Sequence, residues 1–532
     1  MRIAFAWFGF TALVIALAWQ MLGTPVAMPN APLSSGEKLW CISYAPFRGS
    51  QTPLDPTMHI SAAQIEDDLA RLSQITDCVR VYSTDYGLDQ IAGLAAKRGM
   101  KVLQGIWLSS DRAKNRQEIA NAVSIANRYP DTVRAVIVGN EVLLRGEMTA
   151  ANLAETIRAV KAQVKVPVTY ADVWEYWLRN RDLASAVDFV TIHILPYWED
   201  IPIPAAHAAE HVRSIRQRVV EAFPGKEIVL GEVGWPSAGR MREGALPSPA
   251  NQARVIQDVL ALAKREQFKV NVIESFDAPW KRVFEGTVGG HWGLLDDGSR
   301  ELKFVLGQPV SNHPGWIWQA AAGIVLAGFV FAAGWFSRGE RRPGAWDWGA
   351  VTVNALAGGL LIGWAIENVP LESLGVGQWT RSVALVMVAA LSPIAATAAL
   401  MRGTPIPRMS RVLGPTDARK TDWAGLAVCI LLIASLLLSL QIALGLVFDP
   451  RYKDFPFAPL TAGIVPLAVL GFALGRPAGE RGVAEIAGAV LLGLSVLYIL
   501  PNEGFANWQS LWLCGLFAAL AVTLLRVRDV PG

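Results

Sequence analysis

The sequence predicts two fold classes in one chain: an α/β region forming a (β/α)8 TIM barrel, followed by an all-α multi-span transmembrane domain. Three observations predict this. Residues 37–308 are mixed and charged, with short apolar runs alternating with amphipathic segments. From 314 onward long apolar runs are separated by short polar loops. With 52% hydrophobic residues over 532 positions, the whole is too apolar for an ordinary soluble enzyme. The net charge of +3 is too small to suggest a nucleic-acid partner.

The chain opens with "MRIAFAWFGFTALVIALAWQMLG" (1–23), where Arg2 precedes roughly twenty mostly apolar residues. This fits a secretory signal peptide or an uncleaved signal anchor. Either sends the next segment across the membrane. Strands are predicted at 40–46, 77–83, 100–107, 132–139, 167–173, 187–193, 227–232 and 270–277, with helices clearest at 61–73, 111–128, 149–163, 204–223 and 248–267. Eight strands in a region of this length suit a (β/α)8 barrel, commonly about 250 residues. An open doubly wound sheet is the alternative, but rarely needs eight such units. Cys41 and Cys78 begin the first two strands, where an oxidising compartment permits a disulfide. Cys429 and Cys514 fall inside apolar spans.

Seven further spans follow, at 315–336, 347–366, 380–401, 423–448, 460–475, 484–500 and 510–525. With the barrel outside, the inner loops hold Arg338, Arg341, Arg342, Arg402, Arg408, Arg411, Arg419, Lys420, Arg476, Arg481, Arg526 and Arg528. The outer side holds Arg451, Lys453 and Arg381. That asymmetry follows the positive-inside rule. The spans carry few ionisable groups: Glu367 and Glu485 lie near ends, and Gln319, Asn354 and Gln441 are neutral. This argues against ion-coupled transport.

In a barrel the chemistry collects at the carboxyl ends of the strands. Here almost every end offers a carboxylate, an aromatic ring or both, which suggests a carbohydrate cleft. "VGNEVL" delivers Asn140 and Glu141 to the end of the fourth strand, and "GEVGWPSAG" delivers Glu232 to the end of the seventh. Two carboxylates facing across a cleft are what glycoside cleavage needs, and Gly139 and Gly231 would leave them room. A separation of about 5–5.5 Å means retention and about 6.5–9.5 Å inversion. Asn140 is placed to meet the sugar 2-hydroxyl. His193 ends a strand inside the barrel, as either a sugar contact or a satisfied core histidine. His207-Ala208-Ala209-Glu210-His211 matches a zinc-peptidase pattern but lies on an outer helix without an evident third ligand, so no metal or other cofactor is expected. "EGTVGGH" (285–291) lacks the ending of a phosphate loop and is expected to be a turn shaping the cleft.

Together, "VGNEVL", "GEVGWPSAG", "FDAPWK" (276–281) and "HWGLLDDG" (291–298) resemble glycoside hydrolase family 17, the β-1,3-glucanases and β-1,3-glucanosyltransferases, over about residues 38–305. The resemblance implies a retaining double displacement with Glu141 as acid/base and Glu232 as nucleophile. It also implies Tyr197 near the nucleophile and Trp235 beside the sugar. Plant members carry a second acid where this chain has Ala278, while Lys281 remains. The expected substrate-binding residues are Tyr44, Tyr82, Trp107, Asn140, Asp172, Trp174, Tyr197, Trp235, Phe276, Lys281 and Trp292. The junction to a polytopic tail resembles bacterial proteins of β-(1,3),(1,6)-glucan synthesis. It implies a bacterial inner-membrane protein with its catalytic domain in the periplasm, acting on β-glucan. Its partners would be the lipid bilayer and a separate membrane glucan synthase. A glucan export or assembly protein whose barrel binds or guides the polymer is the alternative.

Overall fold

The computed structural model describes residues 2–340, 342–413, 422–474 and 481–527. They divide into two compact units. One consists of Val26–Ala238 with Gly244–Val310; the other takes in the N-terminal helix, Gly239–Glu243 and the chain from Ser311 on.

The first unit is a closed barrel of eight parallel strands in sequential order. These are β1 (Cys41–Ser43), β2 (Cys78–Val81), β3 (Lys101–Ile106), β4 (Val133–Asn140), β5 (Val168–Val173), β6 (Val190–His193), β7 (Ile228–Val233) and β8 (Val270–Val272). Their residues are almost all buried. Strands covered on both faces read as apolar runs, which is why they were legible. Leu230, Val190 and Val168 belong to one contiguous core with the apolar faces of the surrounding helices.

Those helices obey ordinary rules. Ala62–Leu72 starts where the Ser61 hydroxyl accepts from the Gln64 N–H, and it buries Ile65, Leu69 and Leu72 at helical spacing. Pro249–Glu266 combines a Ser248 cap with proline in its first turn. Arg112–Arg128 and Ala150–Lys161 also match the expectation closely, while the predicted 204–223 is Ala208–Ala222 behind a short 3-10 turn. The 285–291 segment corrects an expectation. It belongs largely to a helix, Arg282–Gly289, kinked at Gly286 where φ is 66°. Cys41 and Cys78 are joined by a disulfide, their Cα atoms 4.3 Å apart.

The second unit is all helical. Seven helices are long and apolar enough to cross a membrane: Ile3–Gly23, Trp316–Ser337, Ala345–Glu372, Gly375–Arg402, Trp423–Phe448, Val483–Glu503 and Trp508–Arg526. The predicted 460–475 span is Phe457–Ala473, 17 residues long. At 1.5 Å per residue it reaches about 25 Å, at the lower end of the lengths that cross a bilayer. Phe457, Leu460, Ile464, Leu467 and Leu470 are buried, so it serves as an interior helix of the bundle. The N-terminal helix packs on Trp316–Ser337 and Ala345–Glu372, with Ile15 and Trp19 completely buried. Of the loop cations read from sequence, Arg341, Arg419, Lys420, Arg476 and Arg528 lie outside the described residues.

Candidate active site

Two strand ends build the site. At the end of β4, Gly139 takes φ 92°, and a Cβ there would meet Val142 Cγ2 at 2.6 Å. Glu141 itself is left-handed, with φ 52°. That conformation is uncommon for a residue with a side chain and costs on the order of 1–3 kcal/mol. Surrounding bonds hold it. The Glu141 N–H donates to Ala171 O at 2.8 Å, and Arg145 N–H donates to Glu141 O at 2.8 Å. The Arg145 guanidinium donates to Asn140 O from two nitrogens (3.2 and 2.9 Å) and to Leu108 O (2.7 Å), and it lies 4.3 Å from the Trp107 ring centre. At β7, a Cβ on Gly231 would meet Thr191 Cγ2 at 2.5 Å and the His193 ring at 3.0 Å. Both glycines therefore provide the room their spacing suggested.

The two glutamates converge. A carboxylate oxygen of Glu141, one of Glu232 and a ring nitrogen of His193 all lie within 4.8 Å of one another. His193 Nδ1 is 2.9 Å from Glu141 Oε1. Glu232 is nearly buried and sits beside Arg80 of β2. Arg80 Nη1 donates to Glu232 Oε1 (3.0 Å) and to Gly231 O (2.7 Å), while Nη2 donates to Asn140 Oδ1 (2.5 Å). The Tyr82 hydroxyl is 2.9 Å from both Glu232 Oε1 and Ser43 Oγ. Asn271 supports this shell by donating to Ser43 Oγ and Gly231 O. Burial pushes the Glu232 carboxyl up, while the Arg80 and Lys281 charges and the Tyr82 hydroxyl pull it down, and the group lies below the ordinary carboxylate range. Glu232 is thereby kept ionised at neutral pH.

Further acids surround the pair. Lys281 Nζ bonds Glu274 Oε1 at 2.8 Å. Burial pushes both Glu274 and Glu285 up, opposed by Lys281. Burial also drives Asp172 up to about 6, against the bonds it accepts from Tyr170 Oη and the Val173 N–H. Tyr170 Oη in turn accepts from the Leu143 N–H, two residues beyond Glu141. Asp172 is fully buried, so it braces the β4 loop where a sugar contact was expected.

The aromatic expectations divide by exposure. Tyr82, Trp107 and Trp174 are half-buried and keep accessible surface. Tyr44, Tyr197, Trp235, Phe276 and Trp292 are at most 3% exposed. These five expected substrate-binding residues are packed against other protein groups. Tyr197 meets Trp235 and Trp292 edge-on at 5.9 and 6.1 Å, the Trp235 indole N–H donates to Leu246 O, and Tyr44 Oη donates to Asp68. They form a rigid backing to the site. The zinc-like histidines are also accounted for: His207 is exposed and His211 pairs with Glu199 at 2.9 Å. Among the described residues, Glu141, His193 and Glu232 are the group placed to share a metal ion, and Arg80 already supplies positive charge there.

Residues 41–293 match the family model described as the BtgE/BtgC glycoside hydrolase domain. Over just under half of the chain, the barrel is similar to that family. It is the GH17-like class that the two glutamate motifs resembled. The chain is 29% identical over 293 residues to the putative glucan endo-1,3-beta-glucosidase btgC of Aspergillus niger, covering 49% of this chain and 42% of that protein. It is 30% identical over 226 residues to the probable beta-glucosidase btgE of Aspergillus flavus, covering 41% and 36%. It thus spans less than half the length of these relatives. A solved glycoside hydrolase family 17 β-1,3-glucanosyltransferase from Rhizomucor miehei has 26% identity and a TM-score of 0.45, over 50% of this chain and 95% of that one.

Sequence reasoning passed over three groups in the glycoside hydrolase domain. Arg80 carried a signal, since a charge in the middle of the apolar run "CVRVYS" must find a buried partner. Arg145 and Glu274 carried none, because their roles depend on which loops the closed barrel brings together.

Proposed function

We propose that this protein is a membrane-embedded retaining enzyme that cleaves β-1,3-glucan and transfers the piece to water or to another glucan hydroxyl. The observation that carries the reading is the close approach of the two carboxylates, an oxygen of each lying within 4.8 Å of one of the other, as retention requires. Glu232 is the nucleophile: both its hydrogen bonds fall on Oε1, and Oε2 accepts none from the described residues. Oε2 attacks the anomeric carbon while Glu141 gives its proton to the departing glycosidic oxygen. Glu141 then takes a proton from the incoming hydroxyl, whose oxygen displaces Glu232 and restores the starting configuration. Asn140 has its carbonyl oxygen engaged by Arg80, which leaves its amide N–H groups for the sugar 2-hydroxyl. Tyr82, Trp107 and Trp174 offer the remaining aromatic surface to the glucan.

The apolar helices hold this domain at a membrane, with the barrel on the exported face. The basic inner loops support that orientation. The buried Ile15 and Trp19 support retention of the N-terminal helix as an anchor. With few ionisable groups in its spans, the helical unit tethers the enzyme beside a separate glucan synthase.

The test is product analysis of the purified full-length protein with laminari-oligosaccharides. Longer products identify a transferase and shorter ones a hydrolase; binding without turnover would replace the enzyme by a glucan-guiding protein. Glu232→Ala should lose at least ~100-fold in turnover and regain part of it with azide, giving a glycosyl azide of inverted configuration. Undiminished activity in that variant would sink the nucleophile assignment.

A further inference from the structure

His193 occupies the space between the two glutamates, and both ring nitrogens are engaged. Nδ1 is 2.9 Å from Glu141 Oε1. Nε2 is 3.4 Å from Nη1 and from Nη2 of Arg80, and 3.6 Å from Glu232 Oε1. The ring is 1% exposed. A guanidinium can only donate, so Nε2 of the neutral ring is the acceptor and the ring proton sits on Nδ1. That N–H donates to Glu141 Oε1. Glu141 Oε2 takes no hydrogen bond from the described residues, and the side chain keeps 22% of its surface accessible.

We propose that His193 is a positioning residue that directs the acid proton of Glu141 onto Oε2 and keeps that oxygen turned to the leaving group. The inference rests on the reading of Glu141 as acid/base. An oxygen that already accepts an N–H is a poor place for the carboxyl proton, so the proton goes to the other oxygen. Arg80 fixes the tautomer from behind, which links the nucleophile's cation to the orientation of the acid. The consequence is specific to chemistry. His193 matters where the leaving group is a sugar alcohol that must be protonated, and little where the leaving group departs as a stable anion.

The experiment compares kcat/KM of the full-length protein on laminaripentaose and on 2,4-dinitrophenyl β-laminaribioside, whose departure needs no acid. General acid assistance is worth about 10²–10⁴-fold. His193→Ala should therefore lose ~100-fold on the oligosaccharide and less than ~5-fold on the aryl glycoside. His193→Gln, which can donate to Glu141 and accept from Arg80, should recover ~10-fold of the oligosaccharide loss and none specific to the aryl substrate. The aryl activity reports folded protein in each preparation. Equal losses on both substrates in both variants would overturn the inference and leave the enzyme reading intact. A wild-type protein that turns over neither substrate would overturn the enzyme reading and this inference with it.

Discussion

Arg80 and Glu232 form a pair that is costly to break. Each is almost wholly buried, and removing one partner from such a pair commonly costs about 3–5 kcal/mol because the other charge is left uncompensated. The remaining charge then neutralises if it can. In the native site the Glu232 carboxyl lies below its ordinary range despite its burial, so the nucleophile is ionised well into the acid region. The sign of the pH dependence follows: kcat/KM falls only as pH drops through that lowered value, and the acid limb lies below the ordinary glutamate range. Arg80→Gln removes one lowering charge and keeps a donor, so the limb should move upward by on the order of one pH unit. Profiles on the dinitrophenyl glycoside, which bypasses the acid step, measure this limb in isolation. An unmoved limb would mean that Arg80 organises Asn140 without tuning Glu232.

At the scale of elements, the staves that carry the site are unequal. β4 spans Val133–Asn140, whereas β1 and β8 have three residues each and are neighbours in the closed ring. The Cys41–Cys78 disulfide ties short β1 to β2, which supplies Arg80, across a sequence separation of 37. A cross-link closing a loop of that size is worth about 4 kcal/mol in the chain-entropy account, and less where native strain intervenes. Cys41→Ser with Cys78→Ser should therefore lower the stability of the barrel by ~2–4 kcal/mol, read as an earlier tryptophan-fluorescence transition in urea. Reductant should shift the wild type by a similar amount and leave the double variant unmoved. The long strands and capped helices were readable because their signals are local: Ser61, Ser248 and Thr149 sit before amphipathic runs, and β4 carries the apolar run Ala135-Val136-Ile137-Val138. Trp174–Arg179 and Arg282–Gly289 were not, since "WEYWLR" and a kinked "RVFEGTVG" lack room for a helical period.

The whole chain joins an eight-stranded barrel to a unit of long apolar helices. Under the proposed orientation position 344 faces inward and position 452 faces outward. Single cysteines at Gly344 and Tyr452, in a Cys429→Ala, Cys514→Ala background that retains the Cys41–Cys78 pair, test it in sealed right-side-out vesicles. An impermeant maleimide should label position 452 and reach position 344 only after permeabilisation; the reverse pattern would invert the protein. The interior placement of Phe457–Ala473 was not legible, because a buried helix and a membrane span share one composition. The bundle packs around this one.

Local pattern was enough for the barrel, the apolar helices and the two glutamates, because strand period, hydropathy and strand-end motifs are properties of neighbouring residues. The same neighbours explain why Gly139 precedes Asn140 and Glu141. Tertiary structure alone decided that five of the expected substrate-binding aromatics are buried, that Arg80 stands behind Glu232, and that His193 fills the gap between the carboxylates. Residues 80, 193 and 232 lie in three different strands and residue 141 directly follows a fourth. Only closure of the ring brings their side chains together, and their charges, hydrogen bonds and burial are set by distances that no stretch of sequence contains.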